Sequence, residues 1–371
     1  MPSLPNTQNK IARSRGPLAL VFVLLIVAIM SYGVWHLGVY TGIITPAAGA
    51  TVAILLVFLP LAMLFSMSLA RKRNNPLVTL LYNISTIWFA AIIYLFIGAV
   101  LISLVSVFNY TSLYILSWIW VLAIALAIIG GAINAGCIRI KEYVVNSPEL
   151  APHWANKKIV LFSDVHIGIV RGRRFMEKVA RMVEDLKADI VFLAGDVIDG
   201  PAFDYAKGLS PLKNITAQLI YTPGNHEGYN QEPEKFYPVI KSLTTSLIDA
   251  KTIINNTQII GLDYRHESKE QTREHLHAVG FDPAMPSIVI MHDPTNAGVL
   301  EDEGVSLALS GHTHKGQFFP FTLFMRRLYK EFRYGENKKG KTTTITTSGV
   351  GTTATPIRIG SNPEIVVIKI K

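Results

Sequence analysis

The chain has 371 residues, a formal net charge of +9 and a single cysteine, Cys137. One thiol excludes intramolecular disulfides and thiolate metal clusters, and it fits a reducing compartment. Six of the cations lie before Arg139, and the net charge of about +3 left from there on gives no case for nucleic-acid binding.

From Gly16 to Ala70, and again from Asn74 to Ile138, there is no Asp, Glu, Lys or Arg. Crossing the hydrocarbon core takes roughly 20 apolar residues, so runs of this length read as membrane helices. Breaks at Gly38–Gly42 with Pro46, at Arg71–Pro76 and at Asn109–Thr111 divide them into four predicted spans, about 17–38, 47–70, 84–107 and 113–136. Lys10, Arg13 and Arg15 precede the first span, Arg71, Lys72 and Arg73 separate the second from the third, and Arg139 and Lys141 follow the fourth. The positive-inside tendency therefore puts the N-terminus, the middle loop and everything after the fourth span in the cytoplasm. A cleaved signal peptide ending near Ala47–Ala50 is the competing reading; three further apolar segments weigh against export, and Ser14 separates Arg13 from Arg15, so there is no twin-arginine pair. His36 is the one ionisable side chain inside the spans. It stands near the end of the first among Tyr32, Trp35 and Tyr40, where an interfacial anchor fits better than an ion relay. The expectation is an integral protein of the inner or plasma membrane. A four-helix transmembrane domain over residues 1–140 would carry a cytoplasmic domain over 141–371.

From Lys157 the pattern becomes short apolar runs alternating with amphipathic stretches. Strands are predicted at 157–164, 189–196, 218–225, 257–264, 287–293, 305–311, 342–349 and 364–371. Helical spacing is seen at 175–187 and 232–243, with a polar helix-like stretch at 267–278. Such alternation argues for a layered α/β domain. Five of the strands end in the same kind of residue: Asp164-Val-His166, Asp196-Val-Ile-Asp199, Asn225-His226, His292-Asp293 and His312-Thr-His314. Ligands of α/β sheets bind beyond the carboxyl ends of strands, so these side chains would converge on one point. Carboxylates gathered at one point repel, and divalent metal ions remove that cost. Imidazole, carboxylate and amide ligands without sulfur suit Mn, Fe or Zn rather than Ca or Mg.

Asp164-x-His166, Gly195-Asp196-x-x-Asp199, Gly224-Asn225-His226-Glu227, His292 and Gly311-His312-x-His314 resemble the motif set of the calcineurin-like metallophosphoesterases. The similarity is greatest to their membrane-attached bacterial branch, through the opening Ser163-Asp164-x-His166-x-Gly168, the stretch Gly311–Gln317, and the tail from Ser348 to Ile365. The resemblance implies a four-layer α/β/β/α sandwich and two divalent metals. One would be held by Asp164, His166, Asp196 and His314, the other by Asp196, Asn225, His292 and His312, with Asp196 bridging. His226 would face the substrate, protonating the leaving oxygen or stabilising the phosphoryl group, and Asp199 would orient it. The implied chemistry is in-line attack on phosphorus by a hydroxide bridging the two metals.

Two departures bear on the substrate. Protein phosphatases of the superfamily follow the second aspartate of GDxxD with Arg; Gly200 stands here, which weighs against a phosphoprotein substrate. The close branch has Gly after the last histidine of GHTH, whereas this chain has Lys315, either a phosphate contact or a solvated loop lysine. Residues 318–335 set aromatic and aliphatic side chains beside Arg326, Arg327, Lys330 and Arg333. That composition suits either a segment lying on an anionic membrane surface or a loop covering the domain. A lipid or lipid-linked phosphoester is the expected substrate, for which the family's hydrolases of UDP-2,3-diacylglucosamine are a precedent. A phosphodiesterase for soluble nucleotides or small phosphoesters is the alternative. A non-enzymatic scaffold would lack ligands, and none is missing.

Overall fold

A computed structural model describes residues 8–70, 75–106, 113–200, 204–230, 232–266 and 268–371, with side chains from Leu24 onward. The chain divides into two compact units. One comprises Met1–Ser68 with Leu80–Ile128, and the other Leu69–Thr79 with Ile129–Lys371.

The N-terminal helices are α1 (Gln8–Tyr40), α2 (Pro46–Ala70), α3 (Pro76–Ser106) and α4 (Leu113–Asn134). Three of them, α2, α3 and α4, are long and apolar enough to cross a membrane. In α1 the apolar stretch among residues with described side chains, Leu24–Tyr40, is shorter, and the start of the first expected span lies outside those residues. The third helix begins well before the expected residue 84. Pro76 pre-sets its first turn and the Asn75 side chain accepts the Val78 N–H at 3.0 Å. Within the first unit, Met30, Leu56 and Ile92 form a small core. Hydroxyls turn inward: Ser31 donates to the Leu56 carbonyl and Ser66 pairs with Ser85, each at 3.0 Å. Ile29, Ile54, Phe58, Leu101, Ile119 and Leu126 face outward, the apolar exterior expected of a bundle in lipid.

The second unit runs β1 (Arg139–Val145), β2 (Lys158–Phe162), α5 (Arg173–Asp185), β3 (Ile190–Ala194), β4 (Gln218–Thr222), α6 (Asn225–Tyr229), α7 (Pro233–Leu243), β5 (Thr245–Ser246), β6 (Ala250–Ile254), β7 (Thr257–Leu262), α8 (Lys269–Ala278), β8 (Ser287–Met291), α9 (Ala297–Asp302), β9 (Leu307–Ser310), α10 (Phe321–Tyr329), β10 (Gly335–Lys339), β11 (Thr342–Thr346) and β12 (Glu364–Ile370). Two six-stranded sheets result, in the orders β1-β12-β2-β3-β4-β5 and β10-β11-β9-β8-β7-β6.

The central strands are apolar along their whole length because both faces are covered. Ile159, Leu161, Ile190 and Phe192 of the first sheet meet Ile259, Ile288, Ile290, Leu307 and Leu309 of the second in a shared core. On its other face the first sheet takes Met176, Val179, Ala180 and Val183 of α5, spaced for one helical stripe, with Phe236 and Ile240 of α7. The second sheet packs Ile260, Val289 and Met291 against Leu276 of α8 and Ala297 and Leu300 of α9. Strands β2, β3 and β4 are mutually parallel, as are β7, β8 and β9. Each sheet therefore gathers its carboxyl ends on one edge, where the site lies.

Candidate active site

Five strand ends supply the side chains. Asp164 and His166 follow β2, Asp196 and Asp199 follow β3, Asn225 and His226 open α6 after β4, His292 follows β8, and His312 and His314 follow β9. The turns are tight: Asp164, His166, Asp196, His312 and His314 all sit at φ values from +48° to +69°, a region that costs a residue with a Cβ of order 1 kcal/mol or more. Glycines permit the crowding. A Cβ on Gly349 (φ +72°) would lie 2.5 Å from Asp164 Cβ, and one on Gly195 (φ +77°) 2.5 Å from the Gly224 nitrogen.

Asp196 lies between the groups that result. Its Oδ2 lies 3.1 Å from His292 Nε2 and 3.8 Å from His166 Nε2, and its Oδ1 accepts the His226 N–H at 2.8 Å. To one side, His314 Nε2 is 3.4 Å and His166 Nε2 3.9 Å from Asp164 Oδ1, with the two imidazole nitrogens 3.1 Å apart. To the other, Asp196, His292 and His312 bring donor atoms within 4.8 Å of one another. His226 also comes within that distance of His166 and Asp196, but its Nδ1 is engaged by Asp199 Oδ1 at 3.2 Å.

The arrangement fits a cation. Asn225 Oδ1 is buried without a hydrogen-bond partner, and groups of this kind are rarely left so. His292 Nδ1 donates to the Ala194 carbonyl at 2.6 Å, which leaves Nε2 facing Asp196; burial would lower this ring, but the Asp196 charge and hydrogen bond raise it to about 10. Burial lowers the His166, His312 and His314 imidazoles, with neighbouring His226, His292 and His166 respectively adding to the effect, so these rings are neutral and ligand-ready. Burial would raise Asp196, yet the His292, His226 and His166 rings hold it well below the usual carboxylate range. His226 is also lowered by burial, but the Asp199 hydrogen bond and the Asp196 and Asp199 charges outweigh this and raise it to about 9.

Four residues without an assigned role in the sequence reading complete the surroundings. Thr353 Oγ1 stands 2.9 Å from His166 Nε2 and 3.0 Å from His314 Nε2. The buried Arg358 guanidinium reaches His314 Nδ1 at 3.1 Å through an Nη2 that also donates to the Ser348 and Gly351 carbonyls at 2.8 and 2.6 Å. For His314 to offer Nε2 to a metal, its proton must sit on Nδ1; Arg358 can release that nitrogen because backbone acceptors already serve it. Asp293 Oδ2 lies 3.5 Å from His312 Nε2. Glu227, buried behind the site, accepts backbone N–H groups from Asp196, Val197, Ile198 and Gly224. Asp293 and Glu227 carried a signal, each an acidic residue adjoining a predicted site histidine, His292 and His226; Thr353 and Arg358 carried none.

Lys315, and with it Arg326 and Arg327, the candidate substrate contacts, are not among these donor groups. The Lys315 ammonium lies 4.2 Å from the centre of the Tyr334 ring, and burial followed by nearby Arg333 lowers its pKa. Arg326 and Arg327 are exposed on α10, a helix with no buried residue at all. That helix packs against the turn after His314, where a Cβ on Gly316 would lie 2.5 Å from Thr322 Cα, and Tyr329 sets its ring edge-on to His312 at 6.0 Å.

Comparison with known proteins finds the calcineurin-like phosphoesterase family over residues 157–316. An uncharacterised metallophosphoesterase of Helicobacter pylori is 31% identical over 228 residues, covering 57% of this chain and 59% of its own. A transmembrane protein with metallophosphoesterase domain from Bos taurus is 27% identical over 237 residues, covering 58% and 53%. An uncharacterised metallophosphoesterase of Aquifex aeolicus is 30% identical over 250 residues, covering 63% of this chain and 92% of its own. The chain spans between half and three fifths of the length of the first two relatives. Thr353, Arg358 and α10 lie beyond the matched family segment.

Proposed function

The chain belongs to the calcineurin-like phosphoesterases, and from that premise we propose that it is a membrane-tethered, metal-dependent phosphohydrolase whose substrate is a lipid or lipid-linked phosphoester at the cytoplasmic face. The observation that carries the chemistry is Asp196, whose Oδ2 lies 3.8 Å from His166 of one donor group and 3.1 Å from His292 of the other. In this assignment Asp164, His166, Asp196 and His314 hold one divalent ion, and Asp196, Asn225, His292 and His312 hold a second. Mn, Fe and Zn suit such donors. When bound, an ion pair of this kind supplies a nucleophilic water at neutral pH and charge to offset what develops on the phosphoryl oxygens.

The chain's own groups do the rest. Asn225 contributes a neutral amide oxygen, so the donor set does not cancel the cations' charge. Asp199 fixes the His226 ring through Nδ1, which leaves Nε2–H as the proton available to a departing oxygen. The Asp199 hydrogen bond and charge favour keeping that proton on the ring.

The lipid assignment rests on α10 and on the tether. Leu323, Phe324 and Leu328 are exposed beside Arg326, Arg327 and Lys330, a pairing that suits an anionic bilayer surface. With α1 as a fourth span, both the N-terminus and the hydrolase lie on the cytoplasmic side, in keeping with where the cations fall. The deciding experiment offers purified full-length protein a panel of phospholipid vesicles and bis-p-nitrophenyl phosphate, with Mn, Zn or Mg added. Turnover of a vesicle substrate above the soluble diester supports the assignment. Faster hydrolysis of soluble diesters or nucleotides than of every lipid would replace it with the soluble-phosphodiesterase alternative.

A further inference from the structure

Away from the strand-end site, three side chains from separate elements meet. Asp249 stands just before β6 in the left-handed region, at φ +46°. His266 lies in the loop after β7, and His275 in the last turn of α8. Asp249 Oδ1 lies 2.7 Å from His266 Nε2, and Asp249 Oδ2 lies 3.2 Å from His275 Nδ1. The two rings stack with centroids 3.7 Å apart and planes 27° apart, so both nitrogens address one carboxylate from the same side. All three donor atoms fall within 4.8 Å of one another. We propose that Asp249, His266 and His275 form a binding site for a divalent transition-metal ion, separate from the phosphoesterase centre.

Ligand chemistry supports this. Imidazole nitrogen is a common transition-metal ligand once the ring proton sits on the outward nitrogen, and here two such nitrogens face one carboxylate. Two imidazoles and a carboxylate form a three-ligand set without sulfur, of the kind that binds Zn or a neighbouring first-row metal and leaves a coordination position open. The donors are held before any ion arrives. Asp249 Oδ1 accepts the Asp263 N–H at 3.0 Å, and the His266 carbonyl accepts from Asn296 Nδ2 at 3.2 Å. Access runs from the His275 side, since the side-chain exposures are 7% for His266, 24% for Asp249 and 43% for His275.

The site's position gives the ion a role. His266 and Asp263 help wall a cavity of about 210 Å³ that Asp293 also lines, and Asp293 is the acid 3.5 Å from His312. An ion on Asp249 ties the turn before β6, the loop carrying Asp263 and His266, and the end of α8 into one rigid wall beside the active site.

The test titrates Zn into full-length, detergent-solubilised protein stripped of metal and counts bound equivalents. Replacing His266→Gln and His275→Gln together is expected to remove one equivalent per chain, whatever the strand-end site holds. Equal stoichiometry in wild type and this variant overturns the proposal. A gain of signal covers the case in which the double variant does not fold. His275→Cys on a Cys137→Ser background should give a thiolate-to-metal charge-transfer band when Co(II) is added, and further change of Asp249→Asn should abolish it. Absence of that band in the folded His275→Cys protein also overturns the site.

Discussion

The Glu227 carboxylate accepts the Asp196 backbone N–H at 2.9 Å, so the residue between the two donor groups is held from behind by a second acid. The same oxygen takes the Gly224 N–H at 2.7 Å, and the other takes Val197 and Ile198 at 2.7 and 3.2 Å. Burial, then the Asp196 charge, raises Glu227 to about 7 against the pull of those donors. Glu227→Gln keeps the shape but turns one oxygen into an NH₂ group, which then faces two backbone N–H groups it cannot bond. The expected cost is on the order of 1–3 kcal/mol. In thermal unfolding that corresponds to roughly 2–4 °C per kcal/mol for a domain of this size. Turnover should fall as well, through kcat more than KM. A variant with unchanged melting temperature and kcat would show that Glu227 does not brace Asp196.

Asp196→Ala and His312→Ala should each abolish phosphoester hydrolysis while the protein still inserts and folds. Chelation should silence the wild type, and added Mn or Zn should restore it. Full activity after exhaustive chelation, with no metal found by elemental analysis, would rule out the metal-dependent mechanism.

The convergence of the strand ends was legible because each apolar run stops where a ligand-type residue begins, and parallel strands bring such ends together. The edge strands were not. β1 reads RIKEYVV and is exposed along most of its length, so Arg139 and Lys141 looked like a membrane flank although the strand pairs with β12. β10 reads GENKK, the polar composition that protects a sheet edge and gives no strand period. Thr353 and Arg358 follow no apolar run. They reach His314 only because the chain folds back after β11, a long-range contact that local pattern cannot encode.

Topology can be checked by fusion. A reporter placed after Lys371 and another within residues 71–73 should both report cytoplasm, since cations flank these positions and the two remaining connections carry none. An external signal from the C-terminal fusion would reverse the orientation and place the hydrolase outside.

His226 is expected to act on the leaving group. His226→Ala should keep its metal content and lose turnover by roughly 10²–10⁴-fold if its part is proton transfer. The loss should be largest for an alkyl ester and small for a p-nitrophenyl ester, whose leaving group departs without a proton. Equal losses on both would instead assign His226 to binding the phosphoryl group. Asp199→Asn should follow His226→Ala in direction, because Asp199 orients the same ring.

The final prediction separates the membrane surface from the chemistry. In α10 no residue is buried, yet Tyr329 reaches the edge of His312, so the helix joins an exposed apolar and basic face to the rim of the site. If that face meets anionic lipid, replacing Arg326, Arg327 and Lys330 with Ser should leave hydrolysis of a soluble chromogenic ester unchanged. Each cation near a negatively charged bilayer is worth about 1 kcal/mol, so the triple change should weaken turnover of substrate in phosphatidylserine vesicles by one to two orders of magnitude. Raising ionic strength shortens the screening length and should reproduce the defect on the wild type. Neutral vesicles should show no difference between the two proteins. Equal losses on soluble and vesicle substrates would mean that α10 supports the fold of the site rather than its approach to lipid, and would leave the metal chemistry standing without a membrane substrate.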